Sequence, residues 1–339
     1  MAMGSRNSFL LISLAVVSMS LPWASVQGAQ SPTTITVVVD ATAAAKTPLY
    51  IAKEQNLFKK YGLDARVVSI VGPSVAIQSG IHGDADVLDV DEVAIILSAL
   101  QGGPKLKIIG SLVNTFPYKV IGKPAFVESA KGARIGISRF GSSSDFAVRL
   151  FAKSKGLNPD KDIRILQIGG NPERLAAIQT SLIDASVFQE PEAGLLISKG
   201  LRLLHDFSTK PIPYPFTGFS ASLPALQNKR PAVTQYLKAM SEALYVYKCD
   251  RKTAMAAMSK GLRTKQPVND AYEMMLGFFP ANLSINHDAL KAAVAVFGEV
   301  RPELAERAKK FDTDSVVDDS LMKEVLADPT MKPVLGACS

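Results

Sequence analysis

Two hydrophobic periods take turns along this chain: short runs rich in β-branched residues, and longer stripes at helical spacing. Thr34-Ile-Thr-Val-Val-Val-Asp40 reads as a strand. After the loop Ala41 to Thr47, Thr47-Pro48 offers an N-cap with proline at the first helical position, and Leu49, Ile51, Ala52 and Phe58 supply an apolar face that ends at Gly62. Ala65–Ile70 is the next strand, followed by a helix from Ser74, a strand Val87–Val90, a helix Glu92–Leu100 and a strand Lys107–Leu112. A second unit of the same kind begins near Gly122. It contains the strand Arg134–Ser138, the turn Gly141-Ser-Ser-Ser144, a helix Asp145–Lys155 burying Ala147, Leu150 and Phe151, the strand Ile163–Ile168, a helix from Asn171 to Thr180, and the strand Ala185–Phe188. Pro211, Pro213 and Pro215 then stiffen a segment that reads as a crossing between lobes, and from Arg230 the pattern is mainly helical. Strands alternating with helices predict an α/β fold with helices covering sheets.

An internal similarity ties the two units together. Ala76-Ile-Gln-Ser-Gly-Ile-His-Gly-Asp-Ala-Asp-Val87 recurs, one residue shorter, as Ala177-Ile-Gln-Thr-Ser-Leu-Ile-Asp-Ala-Ser-Val187. In each copy a helix ends, a turn carries Asp-Ala, a short strand follows and another helix starts. Two related units suggest a pseudo-symmetric pair facing a shared cleft. Ligands of open α/β sheets sit outside the carboxyl ends of strands, so the loops there matter most.

The start of the chain adds a location. Arg6, the apolar run Phe9–Val17 and small residues near Val26-Gln-Gly28 form an export signal over residues 1–28, cleaved before Ala29. The run is broken by Ser18, Ser20 and Pro22, short of the roughly 20 apolar residues a membrane span needs. The expected location is the periplasm. The single tryptophan, Trp23, leaves with the signal. Cys249 and Cys338 then form an even pair in a compartment that tolerates disulfides, and they are expected to bond. The net charge of +7 is spread without a basic block, so no nucleic-acid surface is expected.

Pro48-Leu-Tyr-Ile-Ala-Lys-Glu-Gln-Asn-Leu-Phe-Lys-Lys-Tyr-Gly-Leu-Asp64 resembles the opening signature of the nitrate/sulfonate/taurine substrate-binding proteins of ABC importers. Ile77-Gln-Ser-Gly80 with Asp86, Lys131-Gly-Ala-Arg-Ile-Gly136 and Ala177-Ile-Gln with Ile183-Asp-Ala185 match the same family's order. The resemblance runs from about Thr34 to Gly200. It implies a type II periplasmic-binding-protein fold, with two α/β lobes joined by a two-strand hinge and a helical C-terminal part. Lobe 1 is then discontinuous, 29–121 plus 211–339, and lobe 2 is 122–210. Two departures stand out: Phe126-Val-Glu-Ser-Ala130 replaces an aspartate–leucine step, and the acidic Asp89-Val-Asp-Glu92 fills a loop often built of Gly and Ser.

The function this implies is capture of a small polar or anionic molecule, a sulfonate, carboxylate or relative, for an inner-membrane ABC permease. The protein would act as a monomer, without metal or cofactor. The competing classes are a sensory partner of a membrane receptor and an enzyme of the thiamine-pyrimidine-precursor type on the same fold. No G-x-S-x-G, H-E-x-x-H or paired-carboxylate pattern supports catalysis. The candidate ligand contacts are Thr42, Lys46 and Thr47 after the first strand, and Asp91 (with Glu92 beside it) at a helix start. Ser138, Gly141, Ser142 and Ser143 follow at the serine turn, with Gln189 and Glu190 at the equivalent point of the second copy, and Phe216 by the prolines. Three successive hydroxyls at a helix start suit an anion, because free backbone N–H groups and the helix dipole converge there.

Overall fold

A computed structural model describes residues 1, 31–103, 106–209, 212–336 and 338. The export-signal reading, and Lys210 and Pro211 of the proline-rich crossing, lie outside the described residues. Pro32–Ser339 form one compact unit.

The first half opens with β1 (Thr33–Val39), α1 (Thr47–Glu54), α2 (Leu57–Lys60) and β2 (Leu63–Ser69), and continues through α3 (Pro73–Ile81), β3 (Val87–Val90), α4 (Glu92–Leu100) and β4 (Lys107–Val113). The second holds β5 (Lys119–Gly122), β6 (Arg134–Ile137), α5 (Ser143–Ser154), β7 (Arg164–Gln167), α6 (Asn171–Gln179), β8 (Ala185–Phe188), α7 (Glu192–Ser198) and β9 (Arg202–Asp206). The chain then returns to the first half through β10 (Thr217–Ala221). The C-terminal part is helical: α8 (Leu223–Asn228), α9 (Arg230–Cys249), α10 (Arg251–Leu262), α11 (Asn269–Phe278), α12 (His287–Val300), α13 (Ala305–Lys309), α14 (Ser320–Ala327) and α15 (Lys332–Leu335).

The two sheets have the same plan. The first runs β2-β1-β3-β10-β4 and the second β7-β6-β8-β5-β9. In each, three parallel strands are joined by one antiparallel strand that has crossed from the other half, followed by an outer strand. The repeat falls at matching places, as α3 with β3 and α6 with β8. Its aspartates do the same work. Asp86 Oδ2 accepts from the Thr36 N–H at 2.9 Å, and Asp184 Oδ2 accepts from the Arg134 N–H at 3.0 Å. A lysine completes each site, Lys229 on Asp86 at 2.9 Å and Lys123 on Asp184 at 2.8 Å. Both turns thus lock the third strand to the first through a carboxylate.

The crossings run side by side. On the way back, the Tyr214 N–H donates to Asn114 O at 3.0 Å and the Phe216 N–H to Val113 O at 2.9 Å. Phe116 stacks on Tyr214 with ring centroids 3.7 Å apart. β5 pairs with β8 and β9, so the chain has already entered the second sheet at Lys119.

The long first helix expected between Thr47 and Gly62 is two helices. Asn56 takes a left-handed conformation (φ 53°) and turns the chain so that Leu57 and Phe58 bury. Asparagine adopts that conformation at low cost, which apolar spacing does not reveal. Thr47 is not the N-cap either. Lys46 holds that position, and the buried Thr47 hydroxyl donates to Ala44 O at 2.7 Å. Cys249 and Cys338 are bonded, as expected, with Cα atoms 5.3 Å apart, tying the tail to α9.

Candidate functional site

Four strands end at one small cavity between the sheets. Asp40 follows β1, Asp91 follows β3, Ser138 follows β6 and Gln189 follows β8, and all four line a cavity of about 40 Å³. Lys46, Tyr118, Asn171, Arg174 and Phe216 complete the polar and aromatic part of its wall. Carboxyl ends of parallel strands from two halves meeting at one point is the arrangement that binds ligands in such sheets. Ala41 and Asn171 also border an outer cleft of about 790 Å³ between α1 and α10 on one side and α6 and α7 on the other. The inner cavity holds about one water-sized group, so it suits a head group rather than a whole molecule.

Lys46 lies at this cavity but its charge is already used. Its Nζ donates to Asp89 Oδ1 at 2.6 Å, to Asp89 O at 2.8 Å and to Thr217 Oγ1 at 2.6 Å, with Asp40 Oδ1 at 3.4 Å. Burial works against the ammonium, yet Asp89 and Asp40 outweigh it and raise its pKa above the usual lysine range. Its three donors are spent on the protein, which corrects the expectation of a lysine waiting for an anion.

The serine turn departs from expectation more sharply. Ser142 caps α5, accepting from the Asp145 N–H at 3.4 Å, while its hydroxyl donates to Arg139 O at 2.8 Å. Ser138, Ser142 and Ser144 bond one another at 2.7 to 2.9 Å. Ser143 is fully buried: its hydroxyl accepts from Tyr214 at 3.1 Å and its N–H donates to Asp91 Oδ2 at 2.8 Å. Gly141 has φ 82°, which favours glycine, and its N–H donates to Asp145 Oδ2 at 2.9 Å; it borders a separate cavity of about 230 Å³ beside Arg301. The helix start does hold an anion, and that anion is the chain's own Asp91.

Asp91 is therefore neither a simple helix cap nor a free acceptor. Its N–H donates to Asp40 Oδ2 at 3.1 Å, and its side chain reaches α5 of the other half. Burial, and then the Asp40 carboxylate, push its pKa up to about 7 against the pull of the Ser143 N–H. Glu92 turns away into the protein. It is fully buried, among the described residues neither carboxyl oxygen has a well-aligned hydrogen-bond partner, and burial pushes it up to about 8 against the pull of the nearby Ser111 hydroxyl. A methyl group on Gly218 would collide with Glu92 Oε1 and with Gly110 O, so glycine is required there.

At the second copy, Gln189 borders the cavity with Oε1 unpaired, whereas Glu190 is occupied by Lys119 at 2.7 Å and the Gly194 N–H at 2.9 Å. Phe216 reaches the cavity and meets Tyr118 edge-on at 5.2 Å. Thr42 is exposed at the outer cleft, and its carbonyl accepts from Asn171 Nδ2 at 3.4 Å. Thr47, Gly141, Ser142, Ser143 and Glu190 do not border the inner cavity.

Sequence reasoning passed over Arg174. This guanidinium, only 2% exposed, borders the cavity. It donates to Gly169 O at 3.0 Å, to Val187 O at 3.3 Å and to Asn171 Oδ1, and lies 5.8 Å from the Phe188 ring. Nε has no partner, and among the described residues no carboxylate lies within salt-bridge distance. Burial lowers its pKa, as expected for a charge without a counter-ion. The available signal was Gly169-Gly-Asn-Pro-Glu-Arg174, a glycine turn opening a helix after a strand; its arginine reads as a solvated first-turn residue until the fold turns it inward.

Comparison with known proteins places these features. The NMT1-like family model matches residues 119–262. No curated protein matches the sequence. Among solved structures, a protein of Bordetella bronchiseptica RB50 superposes with a TM-score of 0.71 at 18% identity, covering 87% of this chain and 97% of that one. The periplasmic nitrate-binding protein NrtA of Synechocystis PCC 6803 gives 0.70 at 14% identity, covering 91% and 92%. The alkanesulfonate-binding protein SsuA of Xanthomonas axonopodis pv. citri, bound to MOPS, gives 0.64 at 21% identity, covering 80% and 95%. The expected fold is borne out: the chain carries an NMT1-like segment over residues 119–262 and shares the fold of these periplasmic binding proteins.

Proposed function

We propose that this protein captures a small organic acid between its two sheets and delivers it to an ABC importer in the inner membrane. The observation that carries the reading is Arg174, a buried guanidinium with an unused donor at the cavity where four strand ends meet. A buried charge without a partner is costly, and a carboxylate or sulfonate head group would supply the missing counter-ion and a charge-assisted hydrogen bond. Asn171, Gln189 and Tyr118 surround that point, and the outer cleft gives room for the rest of the molecule. The export signal expected from the sequence, the fold and the NrtA and SsuA neighbours support the same role and a periplasmic location.

In this reading the two halves move as bodies about the crossings, where 113–118 pairs with Phe207, Tyr214 and Phe216. Polar contacts bridge them, Asp91 to the Ser143 N–H, Arg139 Nε to Val71 O at 3.1 Å and Arg301 to Asp145 at 2.6 Å, and so does an apolar one, the Phe146 ring of α5 edge-on to Phe297 of α12 at 5.6 Å. Opening would break these contacts and closure would remake them. A panel of short carboxylates and alkanesulfonates, screened by thermal shift, is expected to yield a ligand. At a hundred times its dissociation constant the ligand should add about 2.7 kcal/mol of stability. Small-angle scattering should then show a smaller radius of gyration with that ligand than without it; an unchanged profile, or no stabilising acid, would contradict the proposal.

A further inference from the structure

The amino terminus of α5 is where an anion would be expected, and Asp91 occupies it. α5 is twelve residues long, the Ser143 N–H points out of its first turn, and Asp91 Oδ2 sits 2.8 Å from that nitrogen. Both residues are buried. Asp91 also borders the cavity, while Ser143, whose N–H it covers, does not. Arg174, whose Nε has no partner among the described residues, borders the same cavity. On the Asp91 side, Asp40 Oδ1 is buried, has no hydrogen-bond partner and faces Lys46 only at 3.4 Å.

We propose that Asp91 is the specificity determinant of the cleft: its own carboxylate fills the α5 anion seat, directs the ligand's acidic group to Arg174, and leaves only hydroxyl or amino donors acceptable at the Asp40–Asp91 end. This rests on the cleft being the solute site. Helix termini accept carboxylates readily, and this one is filled from the neighbouring lobe. A ligand bearing negative charge at both ends would meet two carboxylates on one side. Asp91 also joins the two halves, so the residue that selects the ligand also helps hold the closed form together.

The test uses ethanesulfonate as probe, with titration calorimetry on the full mature chain and melts of the unliganded variants as folding controls. Asp91→Ala should empty the seat and tighten ethanesulfonate binding at least tenfold, the worth of one hydrogen bond to a charged group. Asp91→Asn should gain much less, because its amide oxygen still covers the Ser143 N–H. The gain should survive in Asp91→Ala combined with Arg174→Gln, since the new site is α5. Should Asp91→Ala not fold, Asp91→Ser supplies the same readout. Unchanged affinity in the alanine variant, an equal gain in Asp91→Asn, or a gain abolished by Arg174→Gln would each overturn the inference. The solute-site reading fails separately, through an Arg174→Gln single variant that binds the acid found by screening as well as the parent chain does.

Discussion

Glu92 and Arg174 are both buried ionisable groups, and they differ in what surrounds them. Arg174 faces open space that a ligand can fill, while Glu92 is enclosed by Gly218 and the Gly110 carbonyl. With its pKa pushed up to about 8 from the ordinary 4.5, Glu92 holds its proton in the folded state across a range where the unfolded chain releases it. The folded state then binds more protons than the unfolded one, so this residue lowers stability as pH rises from about 4.5 to about 8. Glu92→Gln removes that penalty. Urea unfolding should show the variant more stable than the parent at pH 9, by at most about 5 kcal/mol, and close to the parent at pH 4. Equal stability at pH 9 would mean that the carboxyl group finds a partner or water. The serine turn teaches the complementary lesson. Its residue types and spacing were legible, and so was an anion at the helix start; that Asp91, on a strand end of the other half, would be the anion depends on lobe contact alone.

At the scale of elements, the repeated Asp-Ala turns are the clearest link between sequence and fold. Asp86 and Asp184 each accept from a backbone N–H of the adjacent first strand and each bind a lysine, and Asp184 adds Arg134 through its side chain at 2.8 Å. Arg134 and then Lys123 hold the Asp184 carboxyl well below the usual range. Asp86→Ala and Asp184→Ala should each lower stability by about 1–3 kcal/mol in urea unfolding, since each leaves a strand N–H unpaired. A neutral result at either position would show that the lock matters in only one half. Alternation and β-branched content announced β1, β3, β6 and β8, and the repeat announced their symmetry. The strands that cross between sheets were not announced. β10 reads Thr-Gly-Phe-Ser-Ala and β5 is four residues long, so neither carries a strand pattern; their place is set by the sheet that receives them. The break at Asn56 escaped for a similar reason, because it rests on a backbone angle rather than on a hydrophobic period.

Over the whole molecule, the disulfide, the paired crossings and the cleft answer different demands. The Cys249–Cys338 bond closes a long loop and fastens the C-terminal tail to α9; by chain entropy it contributes about 4.6 kcal/mol. The crossings are hydrogen-bonded to each other and packed around Phe116 and Tyr214, which would keep them aligned during the proposed closure. The cleft combines a small buried polar end with a wide outer mouth, which suits a solute whose acidic head is recognised while its body is tolerated. Replacing Arg174 should leave the fold intact and remove the counter-charge that the proposed solute would need. Native mass spectrometry of protein purified without refolding measures this directly. The parent chain should carry one small molecule with an acidic group, and Arg174→Gln, with an unchanged melting temperature in ligand-free form, should carry none; equal occupancy in the two proteins, or a bound molecule without an acidic group, would contradict it.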